Sequence, residues 1–209
     1  MGTYIKRLLE ISSAGISPAG PVAGSAADNP VIKQLYELLQ QRNGFYAFES
    51  ALHVFPFTPA PGRFSLQQWN DPALWTSSYG DLATGYLFFA EDIFGGQFAI
   101  KDDRIYLFEP ETAAVEHVAD SIEEWAKALL ENYSYLTGYP AAHEWQQAHG
   151  ALPAGSRLGP KMPFVGGGAF DISNLYVAEP VQLMRFRGMI AQKIKDLPDG
   201  AKIKFTVTK

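Results

Sequence analysis

Two short segments contain residue types that enzymes use for catalysis, and each lacks part of the required pattern. His143 and Glu144 begin like the helix of a zinc metalloprotease, but Gln147 stands where the second histidine would be needed. Ser156 directly follows Gly155, and no predicted strand leads into it, so the strand-turn-helix of a nucleophile elbow is missing. The spacing predicts a solvated helix and a loop, with neither a catalytic metal nor a nucleophilic serine.

Two pairs of adjacent carboxylates, Glu91 with Asp92 and Asp102 with Asp103, have the residue types for acid-base catalysis. That chemistry requires burial, which raises the pKa of one member of a pair. Both pairs stand beside turn residues at the ends of predicted strands, so we expect them to be solvated.

Two histidines with apolar neighbours, His53 and His117, stand alone and are predicted to be core or surface residues. The sequence therefore predicts a protein that is not an enzyme and that holds no cofactor or metal. Enzymatic activity would require a pocket of titratable groups with strongly shifted pKa values, and the sequence pattern locates none.

The composition is that of a folded globular protein. The chain has 209 residues, 47% of them apolar, with 17 Lys and Arg against 22 Asp and Glu and a net charge of −5. It has no cysteine, which excludes disulfides and thiolate metal sites. Glu10 interrupts the first apolar stretch, and no apolar run approaches the roughly 20 residues of a membrane-spanning helix. We therefore expect a cytoplasmic protein without a membrane partner.

Changes in composition divide the chain into three predicted parts. Residues 1–27 contain a helical pattern followed by an uncharged Ser/Ala/Gly/Pro tether at 12–27. Residues 28–150 form the main domain, which begins with a helix start at Asn29 and Pro30 and has a predicted helix in its aromatic segment 45–57. Residues 151–209 form an extension that packs on the main domain, with a loop up to 168, a helix at 180–197 and a strand at 202–208.

Four short runs rich in aromatic and branched residues, at 86–90, 97–100, 104–108 and 115–118, predict β-strands. The turn segments between them are too short for parallel crossovers, so neighbouring strands must pair antiparallel. A helix capped at Asp120 or Ser121 follows. The predicted fold class is α+β, an antiparallel β-meander flanked by helices, with a C-terminal helix-strand extension.

The region of the meander resembles the SUKH superfamily. The resemblance is carried by Gly80-Asp81, LFFAED at 87–92, FGGQFAI at 94–100, IYLF at 105–108 and residues 115–119 before the acidic-capped helix, and it spans about residues 44–133. That superfamily contains the yeast cell-wall synthesis regulator and many bacterial immunity proteins. The resemblance implies a sheet flanked by helices and a function in binding another protein. The uncharged tether and the segment after Gly150 depart from the pattern.

Charge is unevenly distributed along the chain. Residues 1–150 hold 18 acids and 8 bases, whereas residues 151–209 hold 4 acids and 9 bases. Such an acidic main domain repels nucleic acid and attracts a basic protein. We expect the basic extension to neutralise the acidic main domain. An equally good interpretation of the excess acids is that they lie in turns and at helix starts and bind no partner.

These observations together predict an immunity protein that binds and neutralises a basic bacterial toxin domain, such as a nuclease. The alternative is a regulatory or scaffold module that binds a cellular protein. Tyr79 and the nearby Trp69 and Trp75 are candidate interface anchors, although core positions are the better interpretation for the tryptophans. The predicted partner-binding residues are Asp81, Glu91, Asp92, Asp102, Asp103, Glu109, Glu111 and Tyr79.

Overall fold

The computed structural model describes residues 2–18, 20–21, 28–198 and 200–201. Within these residues the chain forms a six-stranded antiparallel sheet in the order β1 to β6, a two-stranded sheet of β7 and β8, and flanking helices. The strands are β1 (Phe45–Ala47), β2 (Leu52–Val54), β3 (Leu87–Glu91), β4 (Gln97–Lys101), β5 (Arg104–Phe108), β6 (Val115–Ala119), β7 (Arg157–Pro160) and β8 (Leu175–Ala178). The helices are α1 (Thr3–Glu10), α2 (Pro30–Gln41), α3 (Leu66–Trp69), α4 (Ile122–Thr137), α5 (Tyr139–His149) and α6 (Pro180–Ile194), with a longer 3-10 segment at Thr76–Ala83.

The α+β class and the meander of β3 to β6 are confirmed. Local signals account for both, because each turn has a residue suited to its backbone. Asp102 and Asp103 form the two-residue turn between β4 and β5 with φ of 47° and 60°, a left-handed conformation that Asp tolerates better than most residues. The predicted helix starts are also confirmed, since the Asn29 side chain accepts from the Ile32 amide and the Ser121 side chain from the Glu124 amide.

The predicted helix at 45–57 is wrong, because this segment forms the β1–β2 hairpin. Phe48, Glu49 and Ser50 turn the chain with positive φ, which no helix accommodates. Strand β2 then lies between β1 and β3, and its residues are buried on both faces of the sheet. A strand that is buried on both faces has no alternation of apolar and polar residues, so its pattern resembles that of a buried helix.

The sheet is covered on both faces by aromatic contacts. On one face, the ring of Trp125 in α4 lies 5.0 Å from Phe89 and 5.6 Å from Phe98. On the other face, Trp75 lies 4.9 Å from Phe88. Trp69 and Trp75 are fully buried, so their interpretation as core residues is confirmed.

The N-terminal segment is bound to the main domain along its described part. Helix α1 packs against α4, where the Glu123 carboxylate accepts hydrogen bonds from the Tyr4 and Ile5 amides. Backbone amides of residues 13 and 16 donate to the Tyr46 and Gly44 carbonyls beside β1. The described part of the predicted tether therefore lies along the edge of the sheet.

The C-terminal extension contributes α6 and the β7–β8 pair. Helix α6 packs on the 3-10 segment, and Gly188 makes the close approach possible, because a Cβ there would come within 2.9 Å of Ser78 and Tyr79. The predicted loop up to 168 contains β7, and the predicted strand at 202–208 lies outside the described residues. In the described part of the chain, no helix combines the length and apolar character needed to cross a membrane.

Candidate functional site

The meander has two ends, and the predicted partner-binding residues divide between them. The covered end comprises the β3–β4 and β5–β6 connections, and it lies beneath the C-terminal extension. The open end comprises the β4–β5 turn with the start of β3 and the end of β6. The residues at the covered end are Glu91, Asp92, Glu109, Glu111 and Tyr79, and those at the open end are Asp81, Asp102 and Asp103.

Glu91 lies at the centre of a buried polar network at the covered end, here called the Glu91 cluster. Its Oε1 lies 2.8 Å from Arg157 Nε of β7 and 2.9 Å from His53 Nδ1 of β2. Its Oε2 accepts from the Gln97 side-chain amide at 3.3 Å, and the Gln97 side-chain carbonyl accepts from the Trp69 indole. The side chains of Glu91, Arg157, His53 and Gln97 are all at most 3% exposed. The network thus joins three strands and the extension inside the protein.

Opposing effects set the pKa values in the Glu91 cluster. Burial alone would raise the pKa of Glu91, but Arg157 and His53 together hold it below the ordinary value. Burial, opposed by the hydrogen bond to Glu91, lowers the pKa of His53 to about 4. At neutral pH the cluster therefore contains an ionised carboxylate, a neutral imidazole and a guanidinium.

A second network at the covered end, here called the Arg187 cluster, fixes α6 to the connections of the meander. The Arg187 guanidinium donates to the Phe94 carbonyl and lies 3.6 Å from Glu111 Oε1. Asp92 Oδ1 accepts from the Phe94 and Gly96 amides, and burial raises the pKa of Asp92 to about 7. Burial also raises the pKa of Glu111.

The expectation that Glu91 is solvated is wrong, because its side chain is only 2% exposed. Glu111, a predicted partner-binding residue, is likewise buried at 1% exposed. Tyr79 is also buried, and its hydroxyl donates to the Pro110 carbonyl at 2.7 Å, so its side chain is not presented at the surface. The reason is that Arg157 and Arg187 of the extension supply buried counter-charges. The expected neutralisation of the acidic domain by its basic extension is confirmed at these two pairs.

The two other residues of the covered end are only partly shielded. Asp92 is half-buried and is held by the amides of its own turn. The half-buried Glu109 carboxylate accepts from the Glu111 and Thr112 amides and stabilises the turn that leads to β6. Both carboxylates are therefore occupied by local backbone groups.

The open end presents an aromatic surface beside exposed acids. Tyr86 and Tyr106 are half-buried neighbours on one face of the sheet with ring centroids 6.3 Å apart, and His117 continues this row at 5.8 Å from Tyr106. Lys101 Nζ lies 4.3 Å above the Tyr86 ring. We call Tyr86, Tyr106 and His117 the tyrosine patch. Burial, and then the charges of Tyr106 and Asp102, raise the pKa of Tyr86.

Exposed aspartates surround the tyrosine patch. Asp102 and Asp103 occupy the turn after β4, Asp81 lies in the 3-10 segment before β3, and Asp120 follows β6. Asp120 accepts from His117 at 2.8 Å and lies 3.6 Å from Arg104. The open end therefore combines aromatic area with negative charge, and no buried arginine of the described ranges neutralises it.

A cleft of about 280 Å³ adjoins the Glu91 cluster. Its polar lining includes His53, Glu91, Arg63 and Ser156. Its apolar lining is aromatic on the main-domain side (Phe55, Phe64 and Trp69) and aliphatic on the extension side (Ala154, Val177, Ala178 and Pro180). His53 Nε2 is buried and has no hydrogen-bond partner among the described residues. The sequence interpretation of His53 as a solitary histidine missed this site.

The residues that sequence reasoning missed are His53, Gln97, Arg157 and Arg187. For Arg187 a signal was available, because it follows Leu183 by four positions and Met184 by three, on the apolar face of α6. A charged residue on a buried helix face requires a buried partner of opposite charge. No comparable periodicity marks Arg157, since its strand is only four residues long.

No model of a known protein family matches the chain, and no curated protein resembles it in sequence. The chain is similar in fold to the crystal structure of Atu4351 from Agrobacterium tumefaciens, with a TM-score of 0.55 and 12% identity over 87% of this chain and 86% of that one. The uncovered share is shorter than the C-terminal extension, so part of the extension belongs to the shared fold. The resemblance to the SUKH superfamily stays a prediction.

Proposed function

We propose that this protein is a non-enzymatic immunity protein of the SUKH type that binds a basic toxin domain through the open end of its meander. The observation that carries the proposal is the tyrosine patch together with the exposed aspartates around it. Within the described residues, four aspartates, Asp81, Asp102, Asp103 and Asp120, share this end with two bases, Lys101 and Arg104.

This arrangement has the anatomy of a protein-binding surface. Tyrosines are frequent at the centres of interfaces, because their rings bury a large area at a small cost in conformational entropy. The surrounding aspartates would accelerate encounter with a cationic protein through long-range attraction. Nucleases bind phosphate backbones with basic surfaces, so a nuclease domain has the complementary charge.

The covered end does not compete for this role. Its acids are neutralised by Arg157 and Arg187 or hydrogen-bonded to amides of their own turns. Asp102 and Asp103 therefore remain in the proposed surface together with Asp81, whereas Glu91, Glu111 and Tyr79 are removed from it.

Coexpression tests the function directly. Cells that produce a candidate toxin domain, taken from the genes beside this one, are expected to grow only when this protein is also produced. A Tyr106→Ala variant should reduce that protection. Tyr176→Ala, which replaces an exposed tyrosine outside the tyrosine patch, is the matched control and should leave protection unchanged. Failure of the wild-type chain to restore growth, with both proteins soluble and folded, would instead favour a regulatory module with a cellular partner.

A further inference from the structure

The cleft beside the Glu91 cluster lies between the main domain and the extension. The main domain supplies β2, the end of β3 and the turn around Arg63, and the extension supplies residues 154–156 and the start of α6. Its lining includes two residues, His53 and Glu91, that are 3% and 2% exposed, so the cleft reaches the buried network.

His53 offers a free hydrogen-bond acceptor in this cleft. Its Nδ1 lies 2.9 Å from Glu91 Oε1, and an ionised carboxylate can only accept, so Nδ1 carries the ring proton. The Nε2 atom of the neutral ring is then an acceptor, and no residue in the described part of the chain donates to it. Arg157 and Arg63 both disfavour a second proton on this ring. Most buried acceptors in proteins have a donor, and a molecule in the cleft can supply one to this atom.

The main-domain wall of the cleft is aromatic, and the extension wall is aliphatic, with Val177 and Pro180. Phe55 and Trp69 are stacked with ring centroids 4.8 Å apart, and Phe64 lies 5.7 Å from Trp69. Arg63 also lines the cleft, where its guanidinium lies so close to Gly155 that a Cβ there would come within 3.2 Å of Nη1. Glu179 lines the cleft too, but its carboxylate is occupied by the first amides of α6.

We propose that this cleft binds a small planar anion, a single ring that donates a hydrogen bond to His53 Nε2 and presents a carboxylate to Arg63. A volume of about 280 Å³ suits a ligand on the order of ten non-hydrogen atoms. The aromatic wall favours a flat ring, and the Arg63 guanidinium favours a carboxylate. This site is separate from the tyrosine patch, and the inference does not depend on the proposed function.

The proposal is tested on the unmodified protein with a set of three probes. Two of the probes each lack one group of the first. 4-Hydroxybenzoate has both the donor and the anion, benzoate lacks the donor, and phenol lacks the anion. Titrations followed by NMR are expected to show saturable binding of 4-hydroxybenzoate in the millimolar range or tighter. Its affinity should exceed that of each other probe by about fivefold, the effect of one net hydrogen bond or exposed ion pair. The His53 Nε2 resonance should shift with 4-hydroxybenzoate and with phenol, but not with benzoate.

Variants identify the groups involved. Arg63→Gln should abolish the advantage of 4-hydroxybenzoate over phenol, whereas Arg104→Gln, at an exposed arginine of the open end, should leave it unchanged. Equal affinity for the three probes, absence of saturation at millimolar concentrations, or binding that is indifferent to Arg63→Gln would each overturn the proposal. The probe series is carried out on the unmodified protein, so it stays decisive even if Arg63→Gln fails to fold.

Discussion

The two ends of the meander contain similar acidic turns, but acids are buried at one end and exposed at the other. At the covered end, Glu91 and Glu111 are buried against Arg157 and Arg187 of the extension. At the open end, Asp102 and Asp103 remain exposed, because no described segment of the extension covers them. The difference shows that an acidic turn becomes a structural anchor or a free surface according to what packs on it.

The largest expected effect is the loss of an anchor at the covered end. Arg157→Met should lower the free energy of unfolding by about 3–5 kcal/mol, because it leaves Glu91 as a buried carboxylate without its cation. Arg104→Met is the matched control, since Arg104 and Asp120 form a pair in which both side chains are 62% exposed, and it should cost at most about 1 kcal/mol. Urea denaturation measures both.

A double variant sharpens this prediction. Adding Glu91→Gln to Arg157→Met removes the unpaired charge and should recover part of the lost stability. Equal losses in Arg157→Met and Arg104→Met would show that the covered end is not held by its buried ion pair.

The second prediction concerns pH and Asp92. Its pKa is about 7 in the folded chain against a reference of 3.8, so the folded state retains a proton that the unfolded state releases. The free energy of unfolding should therefore fall as pH rises from about 4 to about 7, by roughly 1–4 kcal/mol from this group alone. Asp92→Asn keeps the oxygen acceptor and removes this fall, so its stability advantage over wild type should grow across that range.

Denaturation at several pH values measures this advantage, with Asp102→Asn as the control at the open end. The lowered pKa of His53 acts in the opposite direction, because stability from that group is present above pH 6.5 and lost as pH falls towards about 4. His53 is present in both proteins, so its contribution cancels in the difference. A difference between Asp92→Asn and wild type that does not vary with pH would contradict the raised pKa.

A smaller effect is expected on association through the open end. The double variant Asp102→Asn/Asp103→Asn removes two charges and keeps residues that tolerate left-handed φ. It should slow binding of a basic toxin domain severalfold at low salt and flatten the salt dependence of the rate. Glu144→Gln/Asp196→Asn removes two exposed acids elsewhere and is the matched control in stopped-flow measurements. Identical rates for the two double variants would exclude the β4–β5 turn from the proposed interface.

The smallest effect is expected from the backbone of the same turn. Asp103 has φ of 60°, so Asp103→Gly relieves left-handed strain and should raise the free energy of unfolding by roughly 0.5 kcal/mol. Glu116→Gly in the adjacent strand β6 should instead lower it by about 0.5–1 kcal/mol. Thermal denaturation of both variants checks the signs, and destabilisation by Asp103→Gly would mean that the turn is not strained.

Much of the fold was predictable because its signals are local. The helix starts at Asn29 and Ser121 and the turn at Asp102 depend on side chains within a few residues of the backbone that they stabilise. The β1–β2 hairpin was not predictable in this way, because its pairing with β3 buries it on both faces and removes the alternation that marks a strand.

The sequence by itself determined the α+β class, the order of the meander strands and the excess of acids in the main domain, because periodicity, turn chemistry and composition are properties of short segments. Only the tertiary structure decided which of those acids are buried and which stay in solvent. The burial of Glu91 and Glu111 depends on Arg157 and Arg187, which are distant in sequence and lie at the covered end because the extension packs there. The same packing forms the cleft at His53, since its walls come from both the main domain and the extension.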